Sequence, residues 1–128
     1  AVLGGLIALQ VFQSARYKRQ TEAFPNDSIV GAGRPVLLEI GAASCIYCRR
    51  MMPVLTELAA DESIGFAVAL VSLDTQPEAR EKYGVQAIPM QIFYDGQGRE
   101  LDRHTGMLTR EQIFERWRRL EIDPQPSS

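Results

Sequence analysis

The chain has 128 residues, of which 45% are hydrophobic and 23% are charged, and its formal net charge is −2. This length and composition predict one globular domain with its own core, and the weak negative charge argues against nucleic acid as a partner. Cys45 and Cys48, the only two cysteines, are too close together for a disulfide framework.

The N-terminal segment is unusually apolar. Residues 1–12 are apolar on every side except at Gln10, and three basic residues follow between positions 16 and 19. A bilayer span takes about 20 apolar residues, so this run is too short to cross alone. We expect residues 1–20 to be the remnant of a membrane anchor. The alternative is an extra helix that packs on the domain or pairs two copies.

The rest of the chain alternates between strand and helix patterns. Apolar runs bounded by turn residues predict strands, and apolar residues at helical spacing predict helices. We expect residues 21–121 to form the domain and residues 122–128 to form a flexible tail. In chain order the patterns predict a strand at 36–41, a helix at 48–60, a strand at 66–73, a short helix at 77–83, strands at 90–94 and 100–105, and a helix at 109–120.

This order predicts an α/β fold in which helices flank a central mixed β-sheet. Helices between the first strands imply parallel pairing in the first half. The turn Asp95-Gly96-Gln97-Gly98 predicts a hairpin that adds an antiparallel edge near the C-terminus. Thr109 and Gln112 form a capping box for the last helix.

The two cysteines lie where a strand ends and a helix begins. Thiols spaced C-x-x-C on a first helical turn can form and exchange a disulfide, and the positive helix N-terminus favours the thiolate. A zinc site takes four ligands, and the chain has one histidine and no third cysteine, so one chain cannot close it. We therefore predict redox chemistry with no cofactor and no metal. The alternative is a metal chaperone or a dimer bridged by metal through two such pairs.

Several features recur at fixed spacing between about residue 34 and residue 120, namely the C-x-x-C sequence, Glu39 six residues before it, Pro53 five residues after it, Ile88-Pro89 before a strand, the glycine-rich hairpin and Gly106. No single feature is decisive, but in this combination the chain resembles the thioredoxin family. With the lead-in Gly33-Arg34-Pro35-Val36 it is most similar to membrane-linked bacterial members such as the C-terminal domain of transmembrane disulfide reductases.

The resemblance implies a role for each site residue. Cys45 would be the nucleophile and Cys48 the resolving thiol, and a buried Glu39 would accept the proton of Cys48. Pro89 would be in the cis form, so that the backbone of Ile88 can pair with an extended substrate.

Tyr47 lies inside the motif, where it would contact partners. The tryptophans that thioredoxins usually carry near the motif are replaced by Gly41 and Ser44, which favours a dedicated partner. Arg49 and Arg50 either tune the cysteines, meet acidic partners or form a solvated face. His104 is interpreted as structural or surface, and Met51 and Met52 as core residues rather than copper ligands.

The resemblance implies a reductase of protein disulfides that receives electrons from a donor protein such as a membrane thiol transporter. It also implies an extracytoplasmic, periplasmic and membrane-anchored location. The basic cluster favours the cytoplasm instead, because positive charge tends to stay inside. A disulfide oxidase or isomerase with the same cysteines is the alternative activity, and the N-terminal segment could join two copies into a homodimer.

Overall fold

The computed structural model describes residues 2–126. The chain begins with a long helix, α1 (Val2–Thr21), and a short 3-10 helix follows at Asp27–Ile29. Every strand and helix predicted after residue 35 is present, with ends within two residues of those expected. In chain order they are β1 (Val36–Gly41), α2 (Ile46–Ala60), β2 (Ala67–Ser72), α3 (Ala79–Lys82), β3 (Met90–Tyr94), β4 (Glu100–Thr105) and α4 (Arg110–Arg119).

The four strands form one mixed sheet in the order β2-β1-β3-β4. β1 and β2 pair in parallel, as predicted, whereas β3 runs antiparallel to both β1 and β4. The helix α3 between β2 and β3 has only four residues and rises about 6 Å, so it does not run the length of the sheet as a crossover helix does. Met90, the first residue of β3, pairs with Ile40 near the end of β1. The chain therefore stays at the end of the sheet where β2 finishes, and β3 runs back from there.

A hydrophobic layer covers each face of the sheet. On one face, α2 and α4 pack over Leu37 and Phe93, and Trp117 of α4 stacks between Phe66 and Phe93 with ring centroids 5.1 and 4.9 Å apart. The other face carries alternate strand residues such as Leu38 and is covered by α3 and the 3-10 region. β1 and β3 are buried along their whole length, while the edge strand β4 is partly exposed.

Capping and turn chemistry define the C-terminal part as expected. The Thr109 side chain accepts from the Gln112 amide at 3.1 Å, and the Gln112 side chain accepts from the Thr109 amide at 2.9 Å, which completes the capping box. Residues 122–126 are the described part of the segment expected to be a flexible tail. They lie against the loop before β2, where Gly65 donates its amide to the Pro124 carbonyl at 2.8 Å.

The two halves of α1 have different environments. The first half projects apolar side chains into solvent, namely Leu3, Leu6, Ile7, Leu9, Val11 and Phe12. The second half packs on the domain through Tyr17, which is only 1% exposed and belongs to the core under α2. Tyr17 therefore joins the domain core although it lies before the boundary expected at residue 20. Within residues 2–126 no helix combines the length and apolarity needed to cross a membrane.

Candidate active site

Cys45 lies at the N-terminus of α2, where the chain leaves β1. Its backbone is extended and its sulfur caps the helix by accepting the Cys48 amide at 3.2 Å. The side chain is partly exposed and the thiol is free. The helix N-terminus therefore presents an accessible sulfur with a backbone N–H aimed at it, as the sequence predicted.

Cys48 lies one turn further along α2 and is fully buried. Burial raises the pKa of this thiol far above its ordinary value, and the hydrogen bond with Cys45 raises it further. Within the described chain both cysteines are free thiols. The pair therefore consists of a partly exposed outer cysteine and a fully buried inner cysteine.

The peptide bond between Ile88 and Pro89 is cis, as predicted. It lies directly beside the motif, since the Cys45 thiol is 3.8 Å from the Ile88 carbonyl oxygen. Pro89 is buried and its carbonyl accepts the amide of Gly106 at 2.8 Å. Ile88 remains half-buried, so a backbone segment flanks the reactive sulfur at the protein surface.

Glu39 is buried in the middle of β1 at 1% exposure, which confirms the expectation of burial. Burial raises the pKa of its carboxyl group to about 8, although a hydrogen bond from Gln91 acts in the opposite direction. The charge of Glu39 in turn contributes to the raised pKa of Cys48. A carboxyl group that titrates near neutral pH thus lies in electrostatic contact with the inner sulfur.

Two further residues extend from Glu39 across the sheet. Gln91 of β3 pairs with Glu39 in register, and His104 of β4 pairs with Gln91. The Gln91 side chain donates to Glu39 Oε1 at 2.8 Å, and its own Oε1 lies 2.8 Å from His104 Nδ1. His104 is thus a structural residue, as interpreted, but one that is linked to Glu39. Gln91 was missed, although a polar residue in the otherwise apolar strand 90–94 was the available signal.

Two side chains fix the loop that leads into the motif through hydrogen bonds to the backbone of Ala43. Asp74, in the loop after β2, accepts the Ala43 amide at 2.8 Å, and the Arg49 guanidinium donates to the Ala43 carbonyl at 2.7 Å. Arg49 therefore fixes the loop that places Cys45, a role that the sequence did not single out. Arg50 is exposed and its guanidinium carbon lies 5.7 Å from the centre of the Tyr47 ring.

Two exposed apolar side chains lie within the motif. Ile46 and Tyr47 follow Cys45 directly and are 47% and 52% exposed. The methionines at 51 and 52 are in contrast fully buried core residues, as expected. Among residues 2–126, no group of three or more histidine, cysteine or acidic side chains is arranged to hold a metal ion.

Comparisons with known proteins match the chain to one family of protein domains. The family model for thioredoxin-like domains matches residues 27–120. The chain is 33% identical over 101 residues to thioredoxin Y1, a chloroplastic protein of Arabidopsis thaliana, covering 77% of this chain and 57% of that protein. It is 36% identical over 80 residues to thioredoxin of Alicyclobacillus acidocaldarius, covering 62% and 75%. It is 32% identical over 99 residues to thioredoxin of Rhodospirillum rubrum, covering 77% and 93%.

Proposed function

The chain belongs to the thioredoxin-like domain family and carries a thiol-disulfide oxidoreductase domain, and we propose that it reduces protein disulfides with the dithiol of Cys45 and Cys48. The observation that supports this most is the placement of the two sulfurs. One is exposed at a helix N-terminus beside Ile88, and the other is buried one turn behind it. This arrangement separates attack on a substrate from release of the product.

In the first step the Cys45 thiolate attacks one sulfur of a substrate disulfide. A bond forms between Cys45 and that sulfur, the substrate disulfide breaks, and the second substrate sulfur leaves as a thiolate that takes up a proton. The amide of Cys48, which points at the Cys45 sulfur, stabilises negative charge at the attacking atom. Accessibility makes Cys45 the attacking residue.

In the second step Cys48 loses its proton and attacks the Cys45 sulfur. The bond between the two cysteines forms, the mixed disulfide breaks, and the first substrate sulfur leaves as a thiolate that takes up a proton. The substrate has gained two electrons, and the protein holds a disulfide. Glu39 accepts the Cys48 proton, since it is the buried carboxyl group whose charge acts on this thiol and whose pKa is about 8.

The substrate lies along the backbone at Ile88 and Pro89. An extended segment that pairs with this backbone has its disulfide next to Cys45, whose sulfur is 3.8 Å from the Ile88 carbonyl. Tyr47, which is half exposed two residues after Cys45, contacts the same segment. Substrate binding at these three residues accounts for the exposure of apolar side chains at the motif.

The reduction potential of the cysteine pair tests the direction of the reaction. We expect a value more negative than about −260 mV, below the glutathione poise, because a reductase needs a stable disulfide after turnover. Equilibration against dithiothreitol or glutathione buffers measures it. A value well above that poise would replace the reductase with an oxidase or isomerase. The Cys45→Ser variant should lose all reduction of a disulfide-bonded test protein such as insulin.

We further propose that the protein works outside the cytoplasm, held at a membrane through its N-terminal segment and supplied with electrons by a membrane thiol transporter. The exposed apolar side chains of the first half of α1 support a tether. Pairing of two copies through the same side chains is the alternative. Carbonate extraction of membranes from the source organism, together with labelling by a membrane-impermeant maleimide, tests the location. Analytical ultracentrifugation of the purified chain tests the pairing.

A further inference from the structure

We propose that Tyr17 of α1 is part of the redox site, where its buried hydroxyl donates a hydrogen bond to the Cys48 thiolate that forms during the second step. The inference rests on the proposed function and adds to it a residue that lies outside the family match at 27–120. The N-terminal helix α1 would then contribute a functional side chain to the redox site as well as packing against the domain.

The end of β1 brings the two groups together. Gly41 lacks a side chain, and a Cβ atom at this position would lie 2.6 Å from Tyr17 Oη and 3.1 Å from Cys48 Sγ. Both polar atoms therefore occupy the space beside the same glycine. Any larger residue at position 41 would displace one or both of them, because contacts of this length are too short for a Cβ atom.

The hydroxyl of Tyr17 is available as a donor. Its side chain is 1% exposed, and within residues 2–126 its oxygen has no hydrogen-bond partner. A buried hydroxyl without a partner costs stability, so its presence needs a reason beyond packing. Burial, with smaller contributions from the negative charges of Cys48, Glu39 and Asp74, raises the pKa of this phenol far above its ordinary value. The group therefore stays protonated throughout the catalytic cycle.

The hydrogen bond would be strongest at the moment when it is needed. In the resting dithiol Cys48 is neutral, because burial raises its pKa. Negative charge appears on its sulfur only when it loses a proton to attack the mixed disulfide. A donor to that charge stabilises the reactive state more than the resting state, and such differential stabilisation accelerates the step. Hydrogen bonds to charged groups are also the strong ones.

The Tyr17→Phe variant separates this role from a purely structural one. Phenylalanine keeps the ring that fills the space beside Gly41 and removes only the hydroxyl. We expect release of the mixed disulfide to slow about ten-fold, while formation of the mixed disulfide by Cys45 is unchanged. Stopped-flow exchange with a disulfide peptide resolves the two steps. Thermal unfolding of the same variant should show equal or higher stability, because an unpaired buried polar group has been removed.

A second measurement does not depend on turnover. In the Cys45→Ser background, titration of the thiolate absorbance reports on Cys48 alone, and adding Tyr17→Phe should raise its pKa. The matched control is Tyr94→Phe, at the far end of the sheet where Tyr94 pairs with Val36, and it should change neither readout. Normal exchange with an unchanged release rate and an unchanged Cys48 titration in Tyr17→Phe would overturn this inference alone. Absence of exchange in the parent protein would overturn the proposed function, and this role with it.

Discussion

The two cysteines lie one helical turn apart but in opposite environments. Around Cys45 the site is a surface, formed by Ile46, Tyr47 and Ile88, and its residues are adjacent in sequence to the motif or to the cis proline. Around Cys48 the site is an interior, formed by side chains from β1, β3 and α1 that meet only in the folded chain. In the proposed mechanism, the outer half selects the substrate, whereas the inner half sets the rate at which the mixed disulfide is released.

The two sulfurs also differ in their electrostatic environments. The outer sulfur receives a backbone hydrogen bond and is in contact with solvent. The inner sulfur shares a buried region with a carboxyl group and a phenol, and burial raises the pKa values of all three groups. Low polarity makes charge on the inner sulfur costly, so every proton transfer there depends on a few well-placed neighbours.

Removing the inner sulfur should have the largest effect on activity, because it abolishes the difference between the two cysteines. In Cys48→Ser the first attack by Cys45 remains, but the mixed disulfide has no resolving thiol, so multiple turnover should fall by about two orders of magnitude or more. The trapped adduct should accumulate in one-to-one stoichiometry and be visible on non-reducing gels and by mass spectrometry. Cys48→Ala controls for burying a hydroxyl group. Turnover at the parent rate in either variant would contradict the assignment of roles.

Glu39→Gln should have the next largest effect. The glutamine keeps the shape of the side chain and the hydrogen bond from Gln91 but cannot accept a proton. Release of the mixed disulfide should slow about 100-fold. In the parent protein the rate should rise with pH to a plateau above about pH 8, where Glu39 is ionised, and in the variant this rise should disappear. Rapid-mixing kinetics between pH 6 and 9 would test it, with the exposed Glu57→Gln as control.

The same variant has an opposite effect on stability. The pKa of Glu39 is raised from 4.5 to about 8 in the folded protein, so folding favours the protonated form. The stability from this group is complete below about pH 4.5 and is lost as the pH rises through 8. Glu39→Gln should therefore match the parent in acid and exceed it by a few kcal/mol above pH 8. Chemical denaturation at pH 5 and pH 9 measures the difference. Equal stability at both pH values would show that Glu39 is not buried as a neutral acid.

The sequence predicts the outer half of the site better than the inner half. The outer residues Cys45, Tyr47, Ile88 and Pro89 lie in short local patterns, and the structure places Cys45 beside Ile88 and its cis bond as expected. The role of Glu39 came from the family resemblance, and its burial was predictable from the apolar residues on both sides of it in the strand. β2 was predictable because its residues are nearly all apolar, and β1 and β3 because a single polar residue interrupts each apolar run. β4 is largely polar and was predictable only as the return strand of the hairpin.

The inner partners were not predictable because they depend on register and packing. Gln91 reaches Glu39 only through the antiparallel pairing of β3 with β1, which the sequence did not specify. Tyr17 lies in the segment expected to be a membrane-anchor remnant or an extra helix, and only the docking of α1 brings it to Cys48. Long-range contacts of this kind carry no local signal.

The smallest expected effect belongs to the outer half. Tyr47→Ala should raise the KM for a protein disulfide by about three- to ten-fold, since an exposed aromatic ring beside the sulfur provides contact area without taking part in proton transfer. Reduction of a small disulfide such as oxidised glutathione should change much less, because that molecule has far less surface to contact the ring. Steady-state kinetics on both substrates would test this, and Tyr47→Phe should restore binding of the protein substrate.

The kinetics of the Tyr47 variants test whether the outer half of the site affects only substrate recognition or also the exchange chemistry. A change in KM for proteins alone would mean that the outer surface contributes recognition and leaves the exchange steps untouched. A fall in kcat for both substrates would instead mean that Tyr47, or Arg50 next to its ring, influences the sulfur chemistry itself. Since the ring is half exposed and the Cys48 sulfur is fully buried, physical separation favours the first result. The outer surface could then change to fit new partners without altering the inner chemistry.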